Sequence, residues 1–290
     1  MSKHSHPRRR KRRLLLLAAV LFLCAGFFYW SNHSLQVDIF TYTDPDLPAG
    51  FDGLKIVQLS DLHGAVFGDD NADLLSAVEA AEPDLIVLTG DLQDRFRNTP
   101  PEYTWSLGAA CAAIAPTYFV TGNHEWAVGG VPELKEGLEA AGVTVLTNEY
   151  VQLERDGDTL VLAGIDDPNG YADQKTPEEL AAEIYAQQGE NVYWLLLAHR
   201  NSLFESDYSL LGADLVLSGH GHGGMIRLPF TDGLISTDRT LFPSFTAGFY
   251  SANGREVFVS RGLGNSGPSF RLFNRPQVVV LTLEKGERET

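Results

Sequence analysis

Beyond residue 53 the chain alternates short apolar runs with amphipathic ones, and most apolar runs end directly in a cluster of polar side chains. Runs of four to seven apolar residues are too short for helices and suit strands covered on both faces. Interleaved with helix-period segments, they specify an α/β domain. The spacing predicts strands over 54–59, 85–88, 117–120, 192–198 and 215–217, a β-rich stretch over 143–164, and two further strands near 256–260 and 278–283. Helices are predicted over 70–81, 102–115, 131–141 and 176–188. Pro83 and Pro116 end the first two, because proline cannot donate to the helical ladder. Thr176 followed by Pro177, Glu178 and Glu179 is a helix start: a capping hydroxyl, a preset φ, and acids facing the positive helix end.

Ahead of this domain lie the basic run Arg8–Arg13 and then seventeen uncharged residues, 14–30, ending in Tyr29 and Trp30. As a helix the run rises about 25 Å, near the lower limit for a bilayer core, and the terminal aromatics suit the headgroup region. Basic residues stay on the cytoplasmic side, so the expected topology has residues 1–13 in the cytoplasm, a membrane anchor over 14–30, and the domain across the membrane. A cleaved export signal is the alternative, with Cys24-Ala25-Gly26 as a poor cleavage site and Arg12-Arg13 as an undistinctive twin-arginine pair. Residues 31–52 read as a linker and domain entry, 53–285 as the domain, and 286–290 as a tail.

Seven of the 22 basic residues fall in the first 13 positions and no acid precedes Asp38, which leaves 15 basic against 38 acidic residues beyond. A surface that acidic makes nucleic acid an unfavourable partner, since such a footprint needs basic stripes. The two cysteines, Cys24 and Cys111, form no disulfide framework, so an exported domain depends on its core and on any bound metal.

The polar clusters share one chemistry. In order come Asp61-Leu62-His63, Gly90-Asp91, Gly122-Asn123-His124-Glu125, His199, and Gly219-His220-Gly221-His222, which together take five of the eight histidines. Imidazole with carboxylate suits divalent transition ions such as Mn, Fe, Zn or Co. A pair of such ions roughly 3.5 to 4 Å apart supplies a nucleophilic hydroxide at neutral pH and neutralises phosphoryl charge. Open α/β sheets gather ligands at the carboxyl ends of their strands, and glycines at 90, 122, 219 and 221 are expected to allow the sharp turns that aim these side chains.

This ordered set resembles the signature of the calcineurin-like metallophosphoesterases from about residue 54 to 283. The resemblance implies a four-layer αββα sandwich of two mixed sheets flanked by helices, preceded here by one transmembrane helix. It implies one metal held by Asp61, His63 and His222, a second by Asn123, His199 and His220, and Asp91 bridging them. The two divalent ions would present a bridging hydroxide for in-line attack on a phosphoester, with Asp91 and Asn123 holding the ions and His124 assisting the leaving group. The stretch from His220 through Ile226-Arg227-Leu228-Pro229, with Ser260 to Asn265 later, is similar to a branch of bacterial membrane-associated phosphodiesterases. Met225 departs from that branch, which commonly has Gln there.

The implied activity is a phosphodiesterase on a lipid-linked or envelope substrate. A nucleotide-lipid pyrophosphatase or a nuclease of small oligonucleotides is the alternative. An inactive metal-free scaffold fits least, because every ligand is present. No obligate protein partner is inferred. Arg261, Arg271 and Arg275 are candidates either for substrate phosphate or for structural ion pairs, and Asp166-Asp167-Pro168 for a cleft rim or a plain turn.

Overall fold

The computed structural model describes residues 7–228, 231–236, 239–267 and 269–287. Residues 1–6 of the basic segment, Pro229 of the matched stretch and 288–290 of the tail lie outside the described residues.

Two six-stranded sheets stack face to face. The first runs in the order β1 (Gln36–Asp44), β14 (Gln277–Lys285), β2 (Lys55–Leu59), β3 (Leu85–Leu88), β4 (Thr117–Phe119), β5 (Thr144–Val145). The second runs β12 (Gly248–Ala252), β13 (Arg255–Val259), β9 (Leu215–Gly219), β8 (Trp194–Arg200), β7 (Asp158–Gly164), β6 (Glu149–Arg155). Strands β2 to β5 are mutually parallel, as are β7, β8, β9 and β13, and antiparallel partners make both sheets mixed. A short antiparallel pair, β10 (Ile226–Arg227) and β11 (Gly233–Ile235), stands apart.

Side-chain alternation explains why the parallel strands read as unbroken apolar runs. In β3, Leu85 and Val87 enter the layer between the sheets, whereas Ile86 and Leu88 face the helices α2 (Ala72–Ala80), α3 (Pro101–Ile114) and α5 (Val131–Ala140). In β8, Leu195 and Leu197 enter the same central layer, while Leu196 and Ala198 pack with Leu180 and Ile184 of α6 (Pro177–Gln188). The result is the four-layer sandwich. Gln58 crosses the central layer, its Nε2 donating to the Ser218 carbonyl at 3.0 Å, so a hydrogen bond joins the sheets beneath the strand ends that carry the polar clusters.

Two elements differ from the sequence expectation. Residues 31–52, read as linker and entry, contain β1, which pairs with β14 along its whole length from Gln36↔Gln277 to Asp44↔Lys285. Its exposed Val37 and Ile39 face out at a sheet edge, so no apolar run marked it. The six-residue helix α4 (Asn123–Val128) was hidden inside the polar cluster that follows β4. The N-terminal helix α1 covers Pro7–His33, and the part from Arg10 to His33 is long and apolar enough to cross a membrane. It runs past Trp30, and Ser31 and Asn32 are buried against the domain.

Candidate metal centre

Each polar cluster leaves the carboxyl end of a parallel strand: Asp61 and His63 after β2, Asp91 after β3, Asn123 and His124 after β4, His199 near the end of β8, and His220 and His222 after β9. The β8–β9 register shifts between Leu197 and Arg200, and that irregularity holds His199. The turns are made differently from the expectation. Of the four glycines, only Gly90 has positive φ, +87°; the ligand candidates themselves take the left-handed conformation, with Asp61 at 53°, His63 at 50°, Asp91 at 54°, His220 at 66° and His222 at 50°. Gly219 is there for space: a Cβ would stand 1.9 Å from Ser60 Oγ and 2.5 Å from Asp61 Oδ2.

The clusters converge. Asp61, His63 and His222 form one group whose ligating atoms lie within 4.8 Å of one another, Asp91, His199 and His220 form a second, and His63, Asp91 and His124 join them. The Nε2 atoms of His63 and His222 stand 3.0 Å apart, and His222 Nε2 is 3.4 Å from Asp61 Oδ1. Asp91 Oδ2 lies 3.2 Å from His199 Nε2, which is 3.2 Å from His220 Nδ1. Lone pairs crowded in this way are what an Asp/His set offers a divalent cation. Two buried atoms sharpen the fit. Asn123 Oδ1 and His63 Nδ1 have no hydrogen-bond partner among the described residues, and a buried amide oxygen is rarely left so unless a further ligand takes it. The second group is also oriented from behind: His199 Nδ1 lies 2.8 Å from the Thr89 carbonyl, which turns Nε2 toward Asp91.

The electrostatics divide the histidines. Burial drives His63 well below its ordinary range and lowers His222, and it takes His220 down to about 4, so these three rings are neutral at pH 7. Burial opposes the His199 cation as well, yet Asp91 outweighs it, with help from Asp61 and Asp167, and raises His199 to about 10. In return, although burial acts against it, the Asp91 carboxylate is held well below its usual range by His199 and then His63.

Sequence reasoning included Glu125 in the polar clusters without giving it a role, and missed Asp94, yet both brace this arrangement. Glu125 is fully buried and accepts three backbone N–H bonds, from Asp91 (2.9 Å), Gln93 (2.9 Å) and Gly122 (2.7 Å), thereby tying the β3 and β4 loops together. Burial, then Asp91, push its carboxyl up to about 7 against those donors. His124 N–H donates to Asp91 Oδ1 at 2.7 Å, and its ring Nδ1 lies 3.3 Å from Asp94 Oδ1 and 3.2 Å from the Arg95 N–H. The Arg95 N–H donates to this Nδ1, which fixes the ring's orientation beside Asp91. A carboxylate three residues after Asp91, and another two after Asn123, were the available signals.

The three arginine candidates separate. Arg261 pairs with Asp38 at 2.7 Å, and Arg275 donates to Ser34 and Leu35 while covering the Trp30 ring. Only Arg271 reaches the site: fully buried, it donates to the Gly264 carbonyl at 2.6 Å and lies 3.4 Å from His222 Nδ1. Asp166 and Asp167 are structural, held by Lys135 and Arg200 respectively. Met225 contributes its backbone, its carbonyl accepting from the Leu272 N–H at 2.9 Å.

Comparison with known proteins agrees with this geometry. A family model described as calcineurin-like phosphoesterase matches residues 54–224. An uncharacterized metallophosphoesterase of Aquifex aeolicus is 31% identical over 267 residues, which are 90% of this chain and 97% of that one. The uncharacterized metallophosphoesterase YkuE of Bacillus subtilis is 30% identical over 264 residues, 88% of each chain. A transmembrane protein with a metallophosphoesterase domain from Bos taurus is 32% identical over 252 residues, 82% of this chain and 54% of its own.

Proposed function

The chain belongs to the calcineurin-like phosphoesterase family, and from that premise we propose that it is a membrane-anchored phosphodiesterase working with two divalent cations drawn from Mn, Fe, Zn or Co. Asp61, His63 and His222 would hold one cation, Asn123, His199 and His220 the other, and Asp91 would serve both. One observation carries this reading: Asp91 Oδ2 lies 3.7 Å from His63 Nε2 and 3.2 Å from His199 Nε2, so a single carboxylate oxygen faces both histidine sets. When bound, the cations supply Lewis acidity toward the phosphoryl oxygens and lower the pKa of water.

The chain's own residues do the rest. Glu125 holds the backbone of Asp91 and of Gly122, so the shared carboxylate and the neighbouring Asn123 keep their spacing. With its Nδ1 accepting from the Arg95 N–H, His124 would turn Nε2–H toward the leaving oxygen, with Ser266 Oγ 3.2 Å from Nε2 to steady the ring. The preference for a diester follows from charge. The side chains clustered around Asp91 are imidazoles and carboxylates, and the guanidinium groups beside them are engaged elsewhere: Arg271 with the Gly264 carbonyl, Arg97 with the His63 carbonyl and Arg200 with Asp167. A site with few fixed cations suits a monoanionic diester better than a dianionic monoester. The basic segment supports a cytoplasmic N-terminus with the domain on the other side, and on that topology a lipid-linked or envelope phosphoester is the substrate.

The test uses the full-length protein, stripped by a chelator and reloaded with single ions, on bis(p-nitrophenyl) phosphate and p-nitrophenyl phosphate. Diester turnover restored by a transition ion is the expected result. Full activity in the stripped protein, or a preference for the monoester, overturns the reading.

A further inference from the structure

The last turn of α1 and the wall of the metal centre share one loop, described at residues 264–267 and 269–275. Asn265 and Ser266 are consecutive and face opposite ways: Asn265 Nδ2 donates to Asn32 Oδ1 of α1 at 3.1 Å, whereas Ser266 Oγ lies 3.2 Å from His124 Nε2. Arg271 repeats the pattern. Its N–H donates to Asn32 Oδ1 (2.7 Å) and its carbonyl accepts from Asn32 Nδ2 (2.9 Å), while its guanidinium reaches His222. A single thickness of chain therefore separates the end of α1 from the site.

This contact fixes how deep the loop sits relative to a bilayer that α1 crosses. Phe27 lies about 5 Å along the helix below Trp30, toward the bilayer centre. Its ring meets that of Phe273 at 4.8 Å, and Phe28 meets Phe270 at 5.9 Å. Phe273 and Phe270 nevertheless remain 48% and 37% exposed, so the helix covers only part of each ring. One turn higher, the Arg275 guanidinium stands 4.7 Å from the Trp30 ring centre. Apolar rings below and an aromatic–guanidinium pair above reproduce the layering of a membrane interface.

We infer that loop 264–275 seats the domain on the bilayer that α1 crosses, with Phe270 and Phe273 in the lipid interface, so that the metal centre works on phosphoesters carried in the headgroup layer. This rests on the membrane-anchored phosphodiesterase reading above and adds where its substrate is presented. The domain's excess of acids repels anionic lipids, so the seating is apolar and resists salt.

The test starts from full-length protein carrying Cys24→Ser, with single labelling sites at Phe270→Cys, Phe273→Cys and, as control, Glu190→Cys, which precedes β8 at the edge opposite the metal centre. Each is labelled with an environment-sensitive fluorophore in phosphatidylethanolamine–phosphatidylglycerol vesicles containing spin-labelled lipid. Labels at 270 and 273 are expected to be blue-shifted and quenched severalfold more than the label at 190, in low and high salt alike. Water-like emission at 270 and 273 overturns the seating. A Phe270→Ser/Phe273→Ser variant should match the unsubstituted protein on soluble bis(p-nitrophenyl) phosphate but fall about tenfold on a p-nitrophenyl phosphodiester of diacylglycerol held in the vesicles, through loss of local concentration. Equal turnover on the vesicle substrate overturns the substrate claim. Absence of diester turnover in the unsubstituted protein refutes the phosphodiesterase reading instead, and the label positions report the seating independently of it.

Discussion

Metal binding at the second histidine set should release one proton, and that proton should come from His199. In the metal-free site His199 is held up to about 10 by Asp91, so at pH 7 it carries a proton that a cation must displace. His63 and His222 are lowered by burial and His220 is down at about 4, so these rings bring none. Affinity for the ion should therefore weaken about tenfold for each pH unit lost between pH 9 and 6, as competition with a single proton requires. Calorimetric titration of the stripped protein with Mn or Zn, repeated in buffers of different ionisation enthalpy, counts the proton directly. His199→Asn keeps a polar ligand and removes the titrating group, so its share of the release should disappear, whereas protons lost by bound water would survive. The reasoning fails if the native protein releases no proton, or if His199→Asn binds metal with release undiminished. The same shift affects the stability of the stripped protein. A raised histidine pKa stabilises fully below its unfolded value near 6.5, and that contribution is lost as pH rises through about 10, so stripped protein should become easier to unfold with urea across this window.

Asn123→Ala should abolish diester turnover while leaving the unfolding free energy within about 1 kcal/mol of the native value, since its Oδ1 has no partner among the described residues; His124→Ala should abolish turnover as well, at a cost of about 1–3 kcal/mol in urea denaturation, because the Arg95 N–H loses its acceptor. Glu125→Ala leaves three buried N–H groups without acceptors and should cost about 3–6 kcal/mol in urea denaturation, with loss of metal binding. Gly219→Ala should lower metal affinity measured by competition with a chromophoric chelator, because its Cβ would displace Ser60 and Asp61.

Residues whose environment is local were legible in the sequence. The strands β2, β3 and β8 are apolar on both faces and announce themselves, and the ligand candidates stand immediately after them. What escaped depended on distant partners. β1 is an edge strand whose faces are half exposed, and only its pairing with β14, more than two hundred residues away, makes it a strand. Glu125, in the first turn of α4, and Asp94, in the loop after β3, are indistinguishable by sequence from solvated acids until the N–H groups and the imidazole they serve are in place. Asn32 fell in the segment read as a linker, yet it lies in the last turn of α1 and its partners are Asn265 and Arg271. The glycine reading erred for a related reason: crowding by Ser60, a contact between sheets, decides position 219, rather than the backbone angle.

The left-handed backbone at Asp61, His63, Asp91, His220 and His222 links folding to function. Glycine would take these angles freely, but glycine has no ligand to offer, so the chain accepts roughly 1–2 kcal/mol of steric strain at each non-glycine position to aim a carboxylate or imidazole inward. Local hydrogen bonds offset part of it: Ser60 and the His220 N–H bind the Asp61 carboxylate, and Glu125 binds the Asp91 N–H. The His63 and His222 Nε2 atoms stand 3.0 Å apart, where a bound cation would offset the rest. Binding metal at a hundredfold excess over Kd adds about 2.7 kcal/mol to stability, the same order as the strain at two such residues. The strain and the affinity are thus two sides of one arrangement. Glycine and alanine at position 63 both remove the imidazole and differ chiefly in the cost of the left-handed backbone, so stripped His63→Gly should unfold at higher urea than stripped His63→Ala, by about 1 kcal/mol, while both lose the stabilisation that metal gives. If stripped His63→Gly proves no more stable than His63→Ala, the left-handed angle at that position carries no strain and the linkage is wrong.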